Sequence, residues 1–239
     1  MSKLEKSIFD ILKMTINFLI NGENFRLSQI NFMEVFIMFS KTQISLFHNV
    51  RRKFVKKLLS EIDCNNSIEH YCSRVKDNDS IASKLWSKQK NATVDNALFC
   101  LTDIIGVRIV VHYIGDIYKI AFKIRQCFDV EEEIDYITNP KENGYRSLHL
   151  IVMVPVPEEN DMGISQIPIE VQIRTEAMDY WASLEHEMLY KKDHSNDIGQ
   201  MNLAKKELYS CAETLFSLDM KMESVQSIIQ KTERRTYCD

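Results

Sequence analysis

Apolar residues along the chain follow two different periods, and the period changes twice. Up to about residue 62 they recur every three or four positions, which places them on one side of a helix. Between about residues 95 and 175 they alternate with polar residues, a spacing typical of strands with one buried face. The helical spacing then returns. The pattern predicts a helical N-terminal segment (1–66), a central domain of strands and helices (67–192) and a helical C-terminal segment (193–239).

Two helices are expected before the central domain. The first carries Leu4, Ile8 and Leu12 on one stripe, and the Asn-Gly-Glu-Asn segment at 21–24 is expected to end it. The second, over residues 44–62, has several cations between its apolar positions: Arg51, Arg52, Lys53, Lys56 and Lys57. A solvated helix face explains such cations more simply than a binding surface does.

Three strands are predicted in the central domain, over residues 107–111, 148–154 and 167–173. The polar face of the first strand carries Arg108, and that of the third carries Glu170, Gln172 and Arg174. A helix at about 117–127 and a short strand near 134–138 are expected between the first two strands. Charges on a sheet face where a core would be apolar are the first indication of a functional site.

The C-terminal region is expected to form two helices. Thr175 is a suitable N-cap for the first, which would run to about Lys191. The second shows a sustained 3-4 spacing of apolar residues, typical of a coiled-coil seam. Its members are Met201, Ala204, Leu208, Cys211, Leu215, Leu218, Met222, Val225 and Ile229. The seam would pack either against the chain's own domain or against another subunit, and the pattern does not decide between them.

Composition excludes several classes of protein. The 239 residues include 30 basic and 34 acidic side chains, a formal net charge of -4, which argues against binding nucleic acid by bulk charge. The six cysteines are far apart, so a zinc ribbon or a C-x-x-C redox site is not expected. No apolar run approaches the roughly 20 residues that span a bilayer. We therefore expect a cytoplasmic protein with no membrane association.

Cations cluster after residue 73, in a segment read as a loop leading into a helix. They are Arg74, Lys76, Lys84, Lys88 and Lys90. With Asp79 or Ser80 as N-cap, the free N–H groups of the helix would lie beside these cations and form a phosphate site. A lysine-rich surface helix would give the same pattern, so this segment alone does not decide.

Two carboxylates and one turn add to the candidate site. Asp103 lies where a strand begins and Glu170 lies on another strand, so adjacent strands would let both bind Mg²⁺. The alternative is a pair of ordinary strand-edge acids that bind nearby arginines. Asn143-Gly144 makes a turn, and Tyr145 follows it with a ring on which a base could stack. Cations for phosphate and a histidine flank the ring: Lys141, Arg146 and His149.

Several segments, in this order, resemble one known family. They are DIIGVRI at 103–109, NGYRSLH at 143–149, EVQIRT at 170–175 and AMDYWASLEH at 177–186. Together they resemble the RelA/SpoT-type synthetase domain over about residues 68–192, and the chain is similar in length to a small alarmone synthetase. The His-Asp dipeptide of relatives that hydrolyse alarmone does not occur in the sequence. Hydrolysis is therefore not expected.

The resemblance implies a nucleotidyltransferase-like α/β fold, with a mixed sheet flanked by helices. The implied reaction moves the β,γ-pyrophosphate of ATP to the 3′-OH of GDP or GTP, releases AMP and produces a signal of starvation or stress. Asp103 and Glu170 would hold Mg²⁺, and Glu170 could also act as base for the 3′-OH.

The resemblance also implies roles for cations and rings around those carboxylates. ATP would contact Arg74, Lys76, Ser80, Lys84, Lys88 and Arg108, with the two arginines flanking adenine. GDP or GTP would contact Lys141, Tyr145, Arg146 and His149, with Tyr145 stacked on guanine. Several members of the family are homotetramers, so a homo-oligomer is expected. The acceptor preference between GDP and GTP is left open.

Two alternatives to an alarmone synthetase remain at this stage. Some relatives are toxins that transfer pyrophosphate to the 3′ end of tRNA, which would require a basic landing surface, and the cations at 51–57 are the only candidate. The other alternative is a sensor that binds nucleotide or single-stranded RNA without catalysis. The presence of both expected metal ligands argues against such an inactive site.

Overall fold

The computed structural model describes residues 39–62, 67–190 and 198–236. The first predicted helix and the break at 21–24 lie outside the described residues. The second predicted helix is confirmed as α1 (Lys41–Ile62). Its apolar stripe is buried, as the spacing requires: Phe47, Val50, Phe54, Leu58 and Ile62.

Five strands form one mixed sheet, which confirms the predicted fold class. They are β1 (Ile68–Val75), β2 (Ile105–Val111), β3 (Asp129–Asp135), β4 (Leu148–Pro155) and β5 (Gln166–Thr175). Their order across the sheet is β1-β2-β5-β4-β3. The central pair, β2 and β5, is parallel, and the other pairs are antiparallel. The three strands predicted from alternation are thus the three central strands.

The two edge strands differ from the sequence-based expectation. Residues 68–75 form β1 although the segment around Arg74 was read as a loop, and β3 ends at Asp135, where a strand near 134–138 was expected. Most side chains of both strands are exposed or half-buried. An edge strand that buries neither face fully has no regular alternation of apolar and polar residues, so its sequence carries little signal.

Helices cover both faces of the sheet. They are α2 (Asn78–Ser87), α3 (Val94–Cys100), α4 (Ile114–Cys127), α5 (Glu176–Tyr190) and α6 (Ile198–Thr236). α1 and α4 pack against each other over the apolar face, where Ile105, Ile109 and Val171 are fully buried. α5 begins directly after β5 and lies beside the polar face.

The helix caps follow simple hydrogen-bond rules. Thr175 caps α5 as expected, because its Oγ1 accepts the N–H of Met178 at 3.2 Å. The N-cap of α2 is Asp77, whose carboxylate accepts the N–H of Ser80 at 2.8 Å. The expectation that Asp79 or Ser80 caps this helix is therefore wrong, since both lie inside its first turn.

The long helix α6 contacts its own domain along one side, from Leu208 to Glu223. Ala212 is buried, and the carbonyl of Leu208 accepts the indole N–H of Trp181 at 2.8 Å. Further along, Thr175 donates its hydroxyl to Asp219 at 2.5 Å. Several apolar residues of the second half are about half exposed: Leu218, Met222, Val225 and Ile229. Among the described helices, none is long and apolar enough to cross a membrane.

Candidate active site

An open cleft of about 640 Å³ lies on the polar face of the sheet. Because β2 and β5 run side by side, Gly106 pairs with Glu170 and Arg108 pairs with Gln172. Residues at these positions point to the same side of the sheet. The main lining side chains are Arg74, Asp103, Arg108, Tyr145, Glu170, Gln172 and Arg174, and α5 closes one side.

A somewhat larger groove, about 730 Å³, lies between α4 and the second half of α6. None of the site residues predicted from the sequence lines it within the described part of the chain. The candidate chemistry is therefore in the smaller cleft.

Asp103 lies in the loop before β2 and is surrounded by positive charge. Its Oδ2 accepts the ammonium groups of Lys76 at 2.5 Å and Lys84 at 2.6 Å. Burial alone would raise the pKa of the Asp103 carboxyl, but the two lysines outweigh burial and hold this pKa below its usual value. Burial also lowers the pKa of the Lys76 ammonium, and the ion pair with Asp103 only partly offsets this. The second oxygen, Oδ1, is buried and has no hydrogen-bond partner among the described residues.

Glu170 lies on the neighbouring strand β5, and its hydrogen-bond partners are a histidine and an amide. Its Oε1 is 3.1 Å from Nδ1 of His149, and its Oε2 accepts the amide of Gln172 at 2.6 Å. Burial alone would raise the pKa of this carboxyl, but the contacts with His149 and Gln172 outweigh burial and lower the pKa. The nearby charge of Asp103 acts in the opposite direction and raises it. The two carboxylates are thus ionised and close enough to repel each other.

This pair of carboxylates fits a divalent cation. Mg²⁺ prefers one or two carboxylate oxygens and takes its remaining ligands from water and phosphates. The unpartnered, buried Oδ1 of Asp103 provides one such oxygen, and Glu170 provides others across the β2–β5 pair. A cation here would also remove the repulsion between the two carboxylates.

Aromatic and cationic side chains form the other end of the cleft. The hydroxyl of Tyr145 is 2.8 Å from Nε2 of His149 and accepts the guanidinium of Arg174 at 2.5 Å. The ammonium of Lys141 lies 4.8 Å from the ring centroid of Tyr145 and 4.6 Å from that of Tyr136. A ring and a cation thus stand together at this end, as base stacking and phosphate binding require.

The turn before Tyr145 requires glycine. Gly144 has φ +90°, a left-handed conformation, and a Cβ added there would lie 2.7 Å from the Cβ of Ala212 on α6. Asn143 accepts the N–H of Tyr145 at 3.1 Å and donates its amide to Glu185 on α5 at 3.1 Å. The turn expected at Asn143-Gly144 is therefore present and is held between two helices.

The structure places the predicted site residues in two groups. At the end of the cleft that holds Asp103, Arg74 and Arg108 line the cleft with Asp103 and Glu170. Lys76 and Lys84 contact Asp103. At the aromatic end of the cleft, Tyr145 lines it, and Lys141 and His149 contact Tyr145.

Three predicted residues are engaged elsewhere. The hydroxyl of Ser80 donates to Asp77 at 2.9 Å, and Lys88 donates to the carbonyl of Cys100 at 3.2 Å. Arg146 donates to the carbonyl of Ile137 and, at 2.7 Å, to Glu213 of α6, and its guanidinium lies 4.0 Å from the ring centroid of Phe216. In this structure none of the three side chains lines the cleft.

The sequence reasoning missed Asp179 and Tyr136 and gave Arg174 no role. Asp179 on α5 lies 3.0 Å from Arg108 and 3.2 Å from Arg174. The sequence places Asp179 in the segment AMDYWASLEH and in the first turn of a helix that follows an arginine-bearing strand. Such an acid is normally explained by the helix dipole, so tertiary structure was needed to find its two partners.

Two ionised carboxylates beside lysines and arginines, on one face of a mixed sheet, define the site of a phosphotransferase. The comparisons with known proteins agree. Residues 73–195 match the family described as the region found in RelA/SpoT proteins. The chain is 42% identical over 164 residues to the GTP pyrophosphokinase YwaC of Bacillus subtilis, covering 68% of this chain and 75% of that protein. The chain belongs to the RelA/SpoT family.

Solved structures of relatives show the same fold. The small alarmone synthetase 1 of Bacillus subtilis, bound to its product pppGpp, superposes with a TM-score of 0.66 at 30% identity over 77% of this chain and 95% of that one. The same synthetase bound to AMPCPP gives a TM-score of 0.60 at 27% identity over 77% and 94%.

Proposed function

We propose that this chain synthesises (p)ppGpp by transferring the β,γ-pyrophosphate of ATP to the 3′-OH of GDP or GTP. The bond between the β-phosphorus and the bridging oxygen of AMP breaks, a bond between the β-phosphorus and the 3′-oxygen forms, and AMP leaves. The observation that carries the proposal is the pair Asp103 and Glu170 in one cleft with Arg108 and Tyr145. The pyrophosphokinase relatives and the pppGpp-bound neighbour support the choice of nucleotides.

The donor end of the cleft is suited to ATP. Asp103 and Glu170 would hold Mg²⁺, which supplies positive charge to the triphosphate when it is bound. Lys76 and Lys84 already end beside Asp103, so they would neutralise the charge that builds on the phosphates as AMP departs. Arg74 and Arg108 lie on the paired strands β1 and β2, where their planar guanidinium groups would stack on adenine.

The acceptor end is suited to a guanine nucleotide. Tyr145 would stack on guanine, and Lys141 and His149 would contact its phosphates. The lowered pKa of Glu170 keeps this carboxylate ionised, so it is suited to bind a metal ion. The same lowered pKa makes the carboxylate a weak base. We keep the base role as a hypothesis: Glu170 would take the 3′-OH proton on Oε1 or Oε2. If the E170Q variant turned over normally with Mg²⁺ bound, that role would be wrong.

The roles predicted for Ser80, Lys88 and Arg146 remain predictions. Each side chain has another partner in the structure, so each would have to leave that partner to reach a nucleotide. Arg146 would have to give up the most contacts, because it joins the acceptor turn to α6.

The direct test is an assay of the purified chain with Mg²⁺, ATP and either GDP or GTP, with the nucleotides resolved by anion exchange. We expect a more highly charged guanosine species and an equal amount of AMP. The D103N variant should lose roughly a hundredfold or more of this activity, because metal charge stabilisation is worth several kcal/mol. The matched control is D95N, at an exposed carboxylate in the first turn of α3, and it should keep full activity. Wild-type activity in D103N would remove Asp103 from the metal site.

Two further arms of the assay test the alternatives. With tRNA in place of GDP, a toxin-type relative would label the tRNA 3′ end. α1 itself packs against α4, but Arg51 donates to the carbonyl of Ser73 at 3.0 Å, and Ser73 also lines the cleft. The cations of α1 therefore begin beside the β1 edge of the cleft, and the tRNA arm of the assay decides whether they form a landing surface. A chain that binds ATP and GDP but makes no product with any acceptor would be a sensor.

We also propose that the chain acts as a homo-oligomer in the cytoplasm and signals stress or starvation. Support for association comes from α6, whose predicted seam is about half exposed from Leu218 to Ile229. The first half of the seam faces the chain's own domain, where Leu208 and Leu215 lie beside Trp181. Further along, the contacts with the domain use another side of the helix, through Asp219 and Glu223. Among the described residues nothing covers the seam from Leu218 to Ile229, so a second copy could pack there, and the mass of the chain in solution tests this.

A further inference from the structure

Asp179 joins two arginines that belong to different ends of the cleft. Its Oδ1 lies 3.0 Å from Nη1 of Arg108 and 3.2 Å from Nη1 of Arg174. The side chain of Arg174 is only 4% exposed, and that of Asp179 is 19% exposed. A single, largely buried carboxylate thus balances two positive charges.

Arg174 continues the connection to the acceptor end. It donates to the hydroxyl of Tyr145 at 2.5 Å and to the side-chain oxygen of Gln172 at 2.7 Å. Gln172 in turn donates to Glu170 at 2.6 Å. An unbroken set of hydrogen bonds therefore runs from Asp179 to the ring proposed for guanine and to one of the proposed metal ligands.

Arg108 is held less firmly than Arg174. Its side chain is 35% exposed, and its Nε is buried without a hydrogen-bond partner among the described residues. Its ion pair with Asp179 is thus the main contact that orients the guanidinium on the donor side. A ligand that fixes Arg108 would also restrict Asp179, because Arg108 and Arg174 share the Oδ1 of Asp179.

We propose that Asp179 is a positioning residue that couples the donor and acceptor nucleotide sites. The inference rests on the proposed function, which assigns Arg108 to ATP and Tyr145 to GDP or GTP. When adenine stacks on Arg108, the guanidinium loses freedom and so does Asp179. Arg174 and the Tyr145 hydroxyl are then already ordered, and the second nucleotide binds with a smaller loss of conformational entropy. By linkage, each nucleotide raises the affinity for the other by the same factor.

The test measures binding and does not depend on turnover. Calorimetry gives the affinity for AMPCPP with and without saturating GDP, in the presence of Mg²⁺. In the wild type we expect GDP to tighten AMPCPP about fivefold or more, the lower end of usual coupling factors. In D179N the neutral amide no longer balances two arginines, so the factor should fall towards one. D179E keeps the charge and should restore part of the coupling.

The control is E176Q, in the first turn of the same helix and outside the cleft lining. It should keep the wild-type coupling factor. Wild-type coupling in D179N, no coupling in the wild type, or an equal loss of coupling in E176Q would each overturn the inference. If D179N is unfolded at the temperature of the calorimetry, the D179E variant provides the test. A folded D179E that shows no coupling between AMPCPP and GDP would also overturn the inference.

The steady-state kinetics give a second readout. Loss of coupling should raise KM for both nucleotides together, whereas a merely structural defect would lower the amount of active enzyme and hence kcat alone. Failure of the proposed function looks different from failure of this inference. A chain that binds both nucleotides with coupling but makes no product would refute the synthetase and leave the coupling intact.

Discussion

The two carboxylates proposed as metal ligands have different partners. Asp103 is paired with two lysines, while Glu170 is paired with a histidine and an amide. If a cation binds both carboxylates as proposed, it would compete with the two lysines at Asp103 and with weaker, uncharged or histidine partners at Glu170. A lysine displaced from Asp103 would then be able to pair with phosphate.

Tyr145 combines two functions that variants can separate. Tyr145→Ala removes the ring and should raise KM for the guanine nucleotide roughly 5- to 150-fold, since stacking is worth about 1–3 kcal/mol. KM for ATP should rise far less. Tyr145→Phe keeps the ring and removes only the hydroxyl that contacts Arg174 and His149. KM for the guanine nucleotide should therefore rise much less than in Tyr145→Ala, and any rise that comes from lost coupling should be equal for the two nucleotides. Steady-state kinetics with each nucleotide varied in turn provide the measurement. Equal increases for both nucleotides in Tyr145→Ala would place the ring elsewhere.

At the scale of elements, burial decides what a sequence pattern can reveal. The central strands β2, β4 and β5 bury their apolar side chains on a covered face, so alternation predicted them and brought Arg108 and Glu170 to the same side. The edge strand β1 was not predicted because its side chains are mostly exposed. Asp179 was not recognised because its role depends on a contact between a helix and two strands, which no local spacing encodes.

Arg146 also shows why spacing alone does not assign a role. It follows the acceptor turn in sequence, yet its guanidinium points to α6 and contacts Glu213 and Phe216. In the structure it links two elements, the turn at Gly144 and the long helix. If Arg146 contacts phosphate, its removal should raise KM for the guanine nucleotide. If it anchors the turn to α6, its removal should lower the melting temperature.

The Arg146→Ala variant distinguishes the two roles. As an anchor, Arg146 should contribute about 1–3 kcal/mol, from a charge-assisted hydrogen bond and a cation–π contact, so thermal unfolding should shift to lower temperature. Arg125→Ala is the control. Its ion pair with Glu133 at 2.6 Å is exposed, and its loss should change stability by about 1 kcal/mol or less. An unchanged melting temperature in Arg146→Ala, with a raised KM for the guanine nucleotide, would instead support the phosphate contact.

At the scale of the whole molecule, α6 serves two surfaces at once. One side of the helix packs against α5, Gly144 and Gly115. The backbone N–H of Gly115 donates to Glu223 of this helix at 2.9 Å. The seam residues that lie further round the helix remain about half exposed. A row of exposed apolar residues at heptad spacing is unusual for a helix that stays in water, because burial of such residues is favourable.

Charges placed on the seam should therefore dissociate the oligomer. In the double variant Leu218→Asp, Val225→Asp, we expect light scattering to give a smaller mass than for the wild type, because two like charges would face their copies across the interface. Ser217→Asp adds a charge at an exposed position off the seam and should leave the mass unchanged. A wild-type mass equal to one chain, or an unchanged mass in the double variant, would assign the seam to another purpose.

The parallel pairing of β2 with β5 affects how the protein folds as well as what it binds. β5 follows β3 and β4 in the chain, so β2 cannot pair with β5 until β3 and β4 have been synthesised. Non-local pairing of this kind slows folding, since a long loop must close before any contact compensates for the lost entropy. Asp103 and Glu170 lie beside these two strands and meet only at that late step. A nascent chain that ends before β5 therefore cannot yet bring Asp103 and Glu170 together, so the cleft is among the last parts of the sheet to assemble.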